Sequence, residues 1–310
     1  TLHTSGSTGS PRELHFAKDQ LIKSAKRTIE FFKLNSKSNI WLALNPEYVA
    51  GYMMAIRAIE ANCSLVISPS SGPFSDALKG VKSIDFVSLV PLQAESILKN
   101  EPELFHKIKN VLIGGAAIDP KLEIGLLNAN TKCRFYHSYA TTETLTHVAL
   151  RELGSPWFEA IGNNSFEQNS DSCLVIDSEI AGRLETTDIV ELASSKKFKW
   201  LGRKDFIINS GGIKIQPEKL ESILGDFLKK TYGIPEFIIS SIPDKKLGEK
   251  CILVIKEKNN LDHTKLLSDL NDICPEYWNP KKIIDIGKRP LFSERGKALR
   301  KEIKQELQNR

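Results

Sequence analysis

Thr4-Ser5-Gly6-Ser7-Thr8-Gly9-Ser10-Pro11-Arg12 is the stretch whose composition points most directly to chemistry. Gly6 and Gly9 let the backbone turn with positive φ and come close to a ligand. Successive amides in such a turn form an anion-binding concavity, and Thr4, Ser5, Ser7 and Thr8 add hydroxyl donors. Arg12 supplies positive charge, so the run reads as a polyphosphate loop. A flexible Gly/Ser linker has a similar composition, but Pro-Arg leading into an organised segment argues against it. No glycine stands five residues before a Gly-Lys-Ser/Thr, so this is not a Walker A loop.

Four further constellations carry polar chemistry. Tyr139-Ala140-Thr141-Thr142-Glu143-Thr144 joins an aromatic face that can stack on a base to a carboxylate able to hold Mg²⁺. Read alone, Thr and Glu there also fit a simple helix start. Thr186-Thr187-Asp188 places an acid at the end of a β run, where a carboxylate can accept ribose hydroxyls. Gly202-Arg203-Lys204-Asp205, then Ser210-Gly211-Gly212, then Ile215-Gln216-Pro217-Glu218-Lys219-Leu220-Glu221 form a more specific series. Arg295-Gly296-Lys297-Ala298-Leu299-Arg300 sets a lysine on a glycine turn before a basic helix. The six histidines are dispersed along the chain, which argues against a metal cluster; His137 lies close enough to Tyr139 to line the same pocket.

These residues need a frame, and the hydrophobic pattern supplies one. Leu21, Ile22, Ala25, Ile29 and Phe32 recur at helical spacing over 18–33. Residues 40–44, 65–67, 86–90 and 111–113 read as buried strands, and 49–61, 91–99 and 119–128 as helices between them. Such alternation predicts a mainly parallel sheet covered by helices. Ligands bind beyond the carboxyl ends of such strands. Gly114-Gly115 and Ser138-Tyr139-Ala140, both placed after strands, are therefore expected to face one crevice. From 157 to 202 short β runs with polar turns predict a small antiparallel β unit. A small α+β module follows from 203, with strands near 206–208, 237–241 and 251–256 and helices near 217–230, 263–273 and 297–308. The expected domains are 1–202, the ligand-binding body, and 203–310, a small mobile lid.

Composition narrows the class. The 310 residues are 41% hydrophobic and 26% charged, as in globular proteins and unlike disordered ones. No apolar run reaches the length of a membrane span and no signal-peptide pattern opens the chain. Thr1 in place of methionine implies residues upstream of this numbering. Five scattered cysteines without a C-x-x-C pair favour reduced thiols and a cytoplasmic location. From Arg203 onward 22 Lys/Arg face 16 Asp/Glu, a surplus of six where the whole chain carries +5. Such a basic third suits an anionic ligand or solvated helix faces; no nucleic-acid motif accompanies it.

In this order and spacing the segments from Thr4 to Arg300 resemble the adenylate-forming superfamily: acyl-CoA ligases, peptide-synthetase adenylation domains and luciferases. The chain departs from that pattern at Arg12, usually lysine, and at Ala140, usually glycine. It also lacks the large region that precedes the loop, and only 45 positions separate Glu143 from Asp188, which implies a small member of the family. The resemblance implies a carboxylate attacking the α-phosphate of ATP·Mg²⁺, release of pyrophosphate, and displacement of AMP by the thiol of coenzyme A. Residues Thr4, Ser5, Gly6, Ser7, Thr8, Gly9 and Arg12 would then wrap the β- and γ-phosphates. Thr142 and Glu143 would contact the α-phosphate and Mg²⁺. Gly114, Gly115, Ala116 and Tyr139 would frame adenine, with Asp188 and Arg203 on ribose. Lys297 would bridge the reacting carboxylate and α-phosphate, where a cation stabilises developing charge. Asp205 matches the hinge of the lid, and Gly211 and Gly212 the thiol channel.

Tyr48, Gly51, Arg57, Ser138 and Ala140 fall where the resemblance places the acid. Arg57 is the lone charge in the apolar run after Gly51. It fits a second substrate carboxylate, since guanidinium forks match carboxylates, and equally a helix arginine reaching solvent along its stem. With that arginine the chain is most similar to the o-succinylbenzoate–CoA ligase branch of menaquinone biosynthesis, whose substrate has two carboxylates. Another acid, a carrier-protein thiol as acceptor, and a non-catalytic nucleotide-binding relative are the alternatives. The expected partners are a small carboxylic acid, ATP and coenzyme A, with no nucleic acid and no membrane span; a homo-oligomer is left open. Because arginine keeps the charge but replaces a point donor by a planar fork, Arg12→Lys is expected to be mild. Arg12→Ala should raise the ATP concentration needed for half-maximal pyrophosphate release; equal activity in both variants removes Arg12 from the site.

Overall fold

The computed structural model describes residues 2–4, 12–14, 16–256, 261–293 and 298–308, and for 2–4, 12–14 and 308 the backbone alone. Contacts divide the chain into two compact units, Thr1–Thr186 with Glu191–Trp200, and Thr187–Val190 with Leu201–Arg310. In the first, β1 (Leu2–Thr4) pairs antiparallel with β2 (Arg12–Leu14). Next come α1 (Lys18–Phe32), β3 (Asn39–Leu42), α2 (Val49–Glu60), β4 (Ser64–Ile67), β5 (Phe86–Leu89), α3 (Pro91–Asn100), β6 (Asn110–Ile113), α4 (Pro120–Leu127) and β7 (Arg134–Ala140). After them follow β8 (His147–Glu152), β9 (Phe158–Ala160), β10 (Ser165–Gln168), β11 (Cys173–Ser178), β12 (Gly182–Ser194) and β13 (Lys197–Arg203).

Helix starts follow local chemistry. Pro91 and Pro120 occupy first-turn positions, where a missing N–H costs nothing, and the Asp119 carboxylate accepts the Lys121 N–H at 2.8 Å. The strands β4, β3, β5, β6 and β7 run parallel, as expected, and β5 and β6 are buried at every position. Their alternate side chains serve two cores. Trp41, Val87, Leu89, Val111, Ile113 and Phe135 pack with Ala94, Ile97, Leu122 and Leu126 of α3 and α4. Ile40, Leu42, Phe86, Leu112 and Tyr136 pack with Phe32 of α1 and Met54 and Ala58 of α2.

Three expectations are corrected here. The strands from 157 to 202 pair antiparallel, but they form no separate unit. They extend the same sheet in the order β7-β8-β9-β13-β12-β11-β10, because β8 offers β9 the edge that a parallel crossover would otherwise occupy. Ser138, Tyr139 and Ala140 do not follow a strand; β7 runs through them, held by antiparallel pairing to β8. The buried face of α1 is also more polar than its hydrophobic period implies, since Ser24, Arg27 and Thr28 are buried beside Ala25 and Phe32.

In the second unit the strand expected near 206–208 is shifted: a short 3-10 turn covers Lys204–Phe206, and β14 (Ile208–Ser210) begins two residues later. It is followed by β15 (Ile213–Ile215), α5 (Pro217–Tyr232), β16 (Phe237–Asp244), β17 (Gly248–Ile255), α6 (His263–Asn271), β18 (Lys282–Asp285) and α7 (Arg300–Gln308). The sheet order is β15-β14-β17-β16, with β18 parallel to β17. Ile239, Leu253 and Ile255 face Leu220, Leu224, Leu266 and Leu270 of α5 and α6. Ile238, Ile252 and Val254 face Ile303 and Leu307 of α7.

Gly51 sets how closely α2 follows β3. A Cβ there would lie 2.3 Å from the Asn45 carbonyl oxygen and 2.9 Å from that of Leu44, both backbone atoms that cannot swing aside. Gly51→Ala should destabilise the protein by about 1–3 kcal/mol, the usual cost of overpacking, read by chemical denaturation; an unchanged midpoint would show that α2 shifts freely.

Candidate functional site

The first unit gathers part of the expected set at the carboxyl ends of β6 and β7. Gly114 follows β6 and donates its N–H to the Leu89 carbonyl at 3.0 Å. A Cβ at Gly114 would sit 2.4 Å from Ser138 Oγ, and Gly115 has φ +87°, so the turn needs both glycines. Ser138 Oγ donates to the Ile113 carbonyl at 3.2 Å, and His137 Nε2 donates to the Ala116 carbonyl at 3.2 Å. The Gly114–Ala116 turn is therefore tied to β7 from two consecutive residues.

Tyr139 rests on an aromatic ladder. Its ring lies 5.9 Å from Phe158 and 5.1 Å from Phe198, which stack on each other at 5.4 Å, and Phe166 meets Phe198 at 4.8 Å. Such pairs add about 0.5–1.5 kcal/mol each beyond burial, enough to hold the Tyr139 ring in one place. Beyond a bulge at Tyr139/Ala140, the segment 141–145 turns back to β8. Thr144 Oγ1 lies within hydrogen-bond distance of the Thr141 and Thr146 carbonyl oxygens, at 3.1 and 2.9 Å, and Leu145 takes φ +65°. Thr144 is buried, while Ala140, Thr142 and Glu143 are exposed. Thr142 and Glu143 are thus exposed in the turn that follows Tyr139 in sequence, and a hard cation such as Mg²⁺ takes oxygen ligands of their kind.

Under this end of the sheet lies a charged support. Arg151 makes two hydrogen bonds to Glu123, at 2.8 and 2.7 Å, and a third to the Ser155 carbonyl at 2.8 Å. Burial first, and the Arg151 guanidinium second, push His137 down to about 4. His137 is therefore neutral near pH 7, with its one N–H on the Ala116 carbonyl.

The run read as a polyphosphate loop is described only at its ends. The hairpin register sets Thr4 opposite Arg12. Ser5, Gly6, Ser7, Thr8 and Gly9 lie outside the described residues, as do the side chains of Thr4 and Arg12 and the whole of Lys297.

Near α2 the structure excludes one of the two readings of Arg57. The residue is 2% exposed, so its guanidinium does not reach solvent. It lies 5.9 Å from the Phe86 ring centre and donates Nη1 to the Met54 sulfur at 3.4 Å, while Nε has no hydrogen-bond partner among the described residues. Burial first, and repulsion from Arg27 second, bring it down to about 9. Tyr48 is the exposed residue just before α2, and Gly51 serves packing in its first turn. Ser88, on the face of β5 shared by Phe86, has a buried hydroxyl with no hydrogen-bond partner among the described residues, and the sequence reading passed over it. Its signal was a lone hydroxyl inside an otherwise apolar buried strand. Arg27 was passed over too, because the apolar period of α1 masked the polar i, i+3, i+4 set Ser24, Arg27 and Thr28.

The second unit holds Asp188, Arg203, Asp205, Gly211 and Gly212. Arg203 Nη2 donates to Thr187 Oγ1 and Asp205 Oδ2, each at 2.7 Å, and Thr187 Oγ1 donates to Asp205 at 3.0 Å. Burial alone would raise the Asp205 carboxyl; the bonds from Arg203 and Thr187 outweigh it and hold the group below its usual value. Residues read separately as ribose ligand and hinge thus form one network next to Asp188. Gly211 and Gly212, at φ +59° and +83°, make the two-residue turn of the β14–β15 hairpin. Both central residues of such a turn take positive φ, which accounts for glycine at both positions. Glu218 and Glu221 meet Arg300, which donates Nη1 to Glu221 at 2.8 Å and to the Ile239 carbonyl at 3.2 Å.

Comparison with known proteins accords with this architecture. The AMP-binding enzyme family matches residues 1–166, more than half of the chain. The chain belongs to the family of AMP-binding enzymes. Among relatives, the 2-succinylbenzoate–CoA ligase of Staphylococcus epidermidis is 24% identical over 98% of this chain and 69% of its own length. That of Escherichia coli is 25% identical over 82% of this chain and 57% of its own length. Among solved structures, an acyl-CoA synthetase (AMP-forming)/AMP-acid ligase II-like protein from Dyadobacter fermentans is 30% identical, with TM-score 0.62 over 99% of this chain and 89% of that one. The o-succinylbenzoate coenzyme A synthetase of Bacillus subtilis, solved with ATP and magnesium ion, shares the fold at TM-score 0.79 and 19% identity, covering 97% and 68%.

The pH dependence of stability follows from His137. Its folded value lies below the ordinary 6.5, so between pH 6.5 and about 4 the unfolded chain takes up a proton that the folded one refuses. Stability falls as pH drops through that window, and the buried His147, held well below 6.5, adds to the fall. His137→Gln should flatten this acid limb in denaturation measured from pH 7 to 4; an unchanged slope would mean that His137 is not held neutral.

Proposed function

We propose that the chain is an ATP-dependent acid–thiol ligase acting on o-succinylbenzoate, with coenzyme A as acceptor. A substrate carboxylate oxygen bonds to the α-phosphorus of ATP and pyrophosphate leaves. The coenzyme A sulfur then bonds to the acyl carbon, loses its proton, and AMP leaves. Family membership carries the reaction class, and the observation that carries the substrate is Arg57, a buried guanidinium with no carboxylate among its hydrogen-bond partners in the described residues. A diacid activated at one end keeps a second carboxylate, and Arg57 with the Ser88 hydroxyl suits it.

Each residue has a part in this reading. Thr4, Ser5, Gly6, Ser7, Thr8, Gly9 and Arg12 hold the departing pyrophosphate. Gly114, Gly115, Ala116 and Tyr139 hold adenine, with the turn kept in place by Ser138 and His137. Thr142 and Glu143 offer oxygen ligands to Mg²⁺, which when bound neutralises phosphate charge. Tyr48, Gly51, Arg57, Ser138 and Ala140 surround the acid. Asp188 and Arg203 take the ribose, Asp205 is the hinge, Gly211 and Gly212 border the thiol path, and Lys297 meets the reacting carboxylate and α-phosphate. Residues 1–202 act as the binding body and 203–310 as a lid. The five free cysteines support a cytoplasmic setting, and among the described residues no helix is long and apolar enough to cross a membrane.

The test is pyrophosphate release dependent on both ATP and acid, run over a panel of mono- and dicarboxylic acids, followed by thioester formation with coenzyme A or a carrier-protein thiol. The expected result is release greatest with o-succinylbenzoate and lowered at least ~10²-fold by Lys297→Ala, as for loss of a transition-state cation. Release from another acid reassigns the substrate, transfer only to a carrier thiol reassigns the acceptor, and ATP binding without release from any acid removes the catalytic reading.

A further inference from the structure

Six buried side-chain polar atoms have no hydrogen-bond partner among the described residues, and four of them are Arg27 Nε, Arg27 Nη2, Arg57 Nε and Ser88 Oγ of the first unit. A buried charge left unpaired is among the costliest arrangements in a folded protein. An arginine cannot escape that cost by losing its proton under ordinary conditions. Two such residues on the neighbouring helices α1 and α2, with Arg27 repelling Arg57, need a reason.

Among the described residues the surroundings hold no sufficient counter-charge. Arg27 is 6% exposed and donates Nη1 to the neutral Asn164 side chain at 3.0 Å. The carboxylate that acts on it is Glu179, which is exposed and accepts a hydrogen bond from Asn163 at 2.6 Å. Arg57 has the Met54 thioether, a weak acceptor on a flexible stem that yields readily to a stronger one. His147 is kept neutral by burial and by both arginines, and it shares a hydrogen bond with Thr28 Oγ1 at 3.1 Å, so it supplies no negative charge. The place is also built for the arginine stem. A Cβ at Gly162 would come within 2.8 Å of Arg27 Cδ, and Gly162 has φ +59°.

We propose that Arg27 is a second guanidinium for the distal carboxylate of the diacid, completing with Arg57 a buried anion site between α1 and α2, and that it sets diacid specificity. The proposal rests on the diacid reading given above and extends it to a residue outside the expected substrate set. A carboxylate offers about four lone-pair sites, enough for the free N–H groups of both arginines. The unliganded protein then carries an electrostatic penalty that the correct acid removes and a monoacid does not.

The test uses the full chain, Arg27→Gln and Arg27→Lys, with o-succinylbenzoate and its analogue lacking the ring carboxylate as acids. KM is read from ATP-dependent pyrophosphate release, and Tm is read with and without each acid. For Arg27→Gln the expected KM rise is ~10-fold or more for the diacid, the scale of one lost charge-assisted bond, with values for the monoacid and ATP within about 2-fold. Its ligand-free Tm should rise above wild type, and the further rise induced by the diacid should vanish. Arg27→Lys should recover part of the diacid KM. Equal KM changes for both acids, or none, overturn the proposal. If Arg27→Gln is insoluble, an unchanged diacid KM in Arg27→Lys overturns it. Wild type that does not prefer the diacid refutes the diacid reading itself, whereas wild type that prefers it while Arg27→Gln keeps the preference refutes the role of Arg27 alone.

Discussion

Each of the strands Asn39–Leu42, Phe86–Leu89 and Asn110–Ile113 hands alternate side chains to two separate cores, one under α1 and α2 and one under α3 and α4. Burial on both faces leaves such strands no polar exit except at their ends. Among the described residues, the polar groups set into this part of the first unit lie either at the carboxyl ends of β6 and β7 or as isolated groups within the cores. The first place holds the Gly114–Ala116 turn, Tyr139 and the exposed Thr142 and Glu143. The second holds Arg27, Arg57, Ser88 and His147.

These two places are stabilised in opposite ways. The strand-end site is over-determined: Ser138 and His137 hold the turn, and Phe158, Phe198 and Phe166 carry Tyr139. Preorganisation of this kind removes ordering cost from ligand binding. The buried arginines are under-determined, with neutral acceptors where a carboxylate would be expected. A protein that keeps unpaired charge in its interior gives up stability there, as functional sites commonly do.

The second unit follows a third pattern, in which polar residues neutralise one another. Arg203, Asp205 and Thr187 close on themselves, and Arg300 joins α7 to Glu221 of α5. Phe206 lies between the two systems, with the Arg203 and Arg300 guanidinium carbons 5.7 and 5.6 Å from its ring centre. The segment following Gly202 and the start of α7 therefore both pack an arginine on a single ring.

Much of this was legible along the chain. Local order sufficed for the parallel strands and their helices, since strand parity and helical period are properties of neighbouring residues. Proline and aspartate at helix starts, and Gly211-Gly212 at a hairpin turn, likewise act through their own backbones. The ordered polar motifs from Thr4 to Arg300 pointed to the AMP-binding enzymes without coordinates. What required the tertiary structure was every property that depends on residues far apart in sequence. The antiparallel strands read as a separate unit prolong the main sheet because β9 finds β8 and β13 as neighbours. Arg57 was equally consistent with solvent and with a ligand until Met54, Phe86 and the helix packing enclosed it. Arg27 looked like one cation on an amphipathic helix, and its burial beside Asn164 and Gly162 depends on a contact across more than a hundred residues. Spacing along a chain records backbone geometry and local propensity; burial and pairing of charge are set by which distant segments exclude water, and only the folded chain decides that.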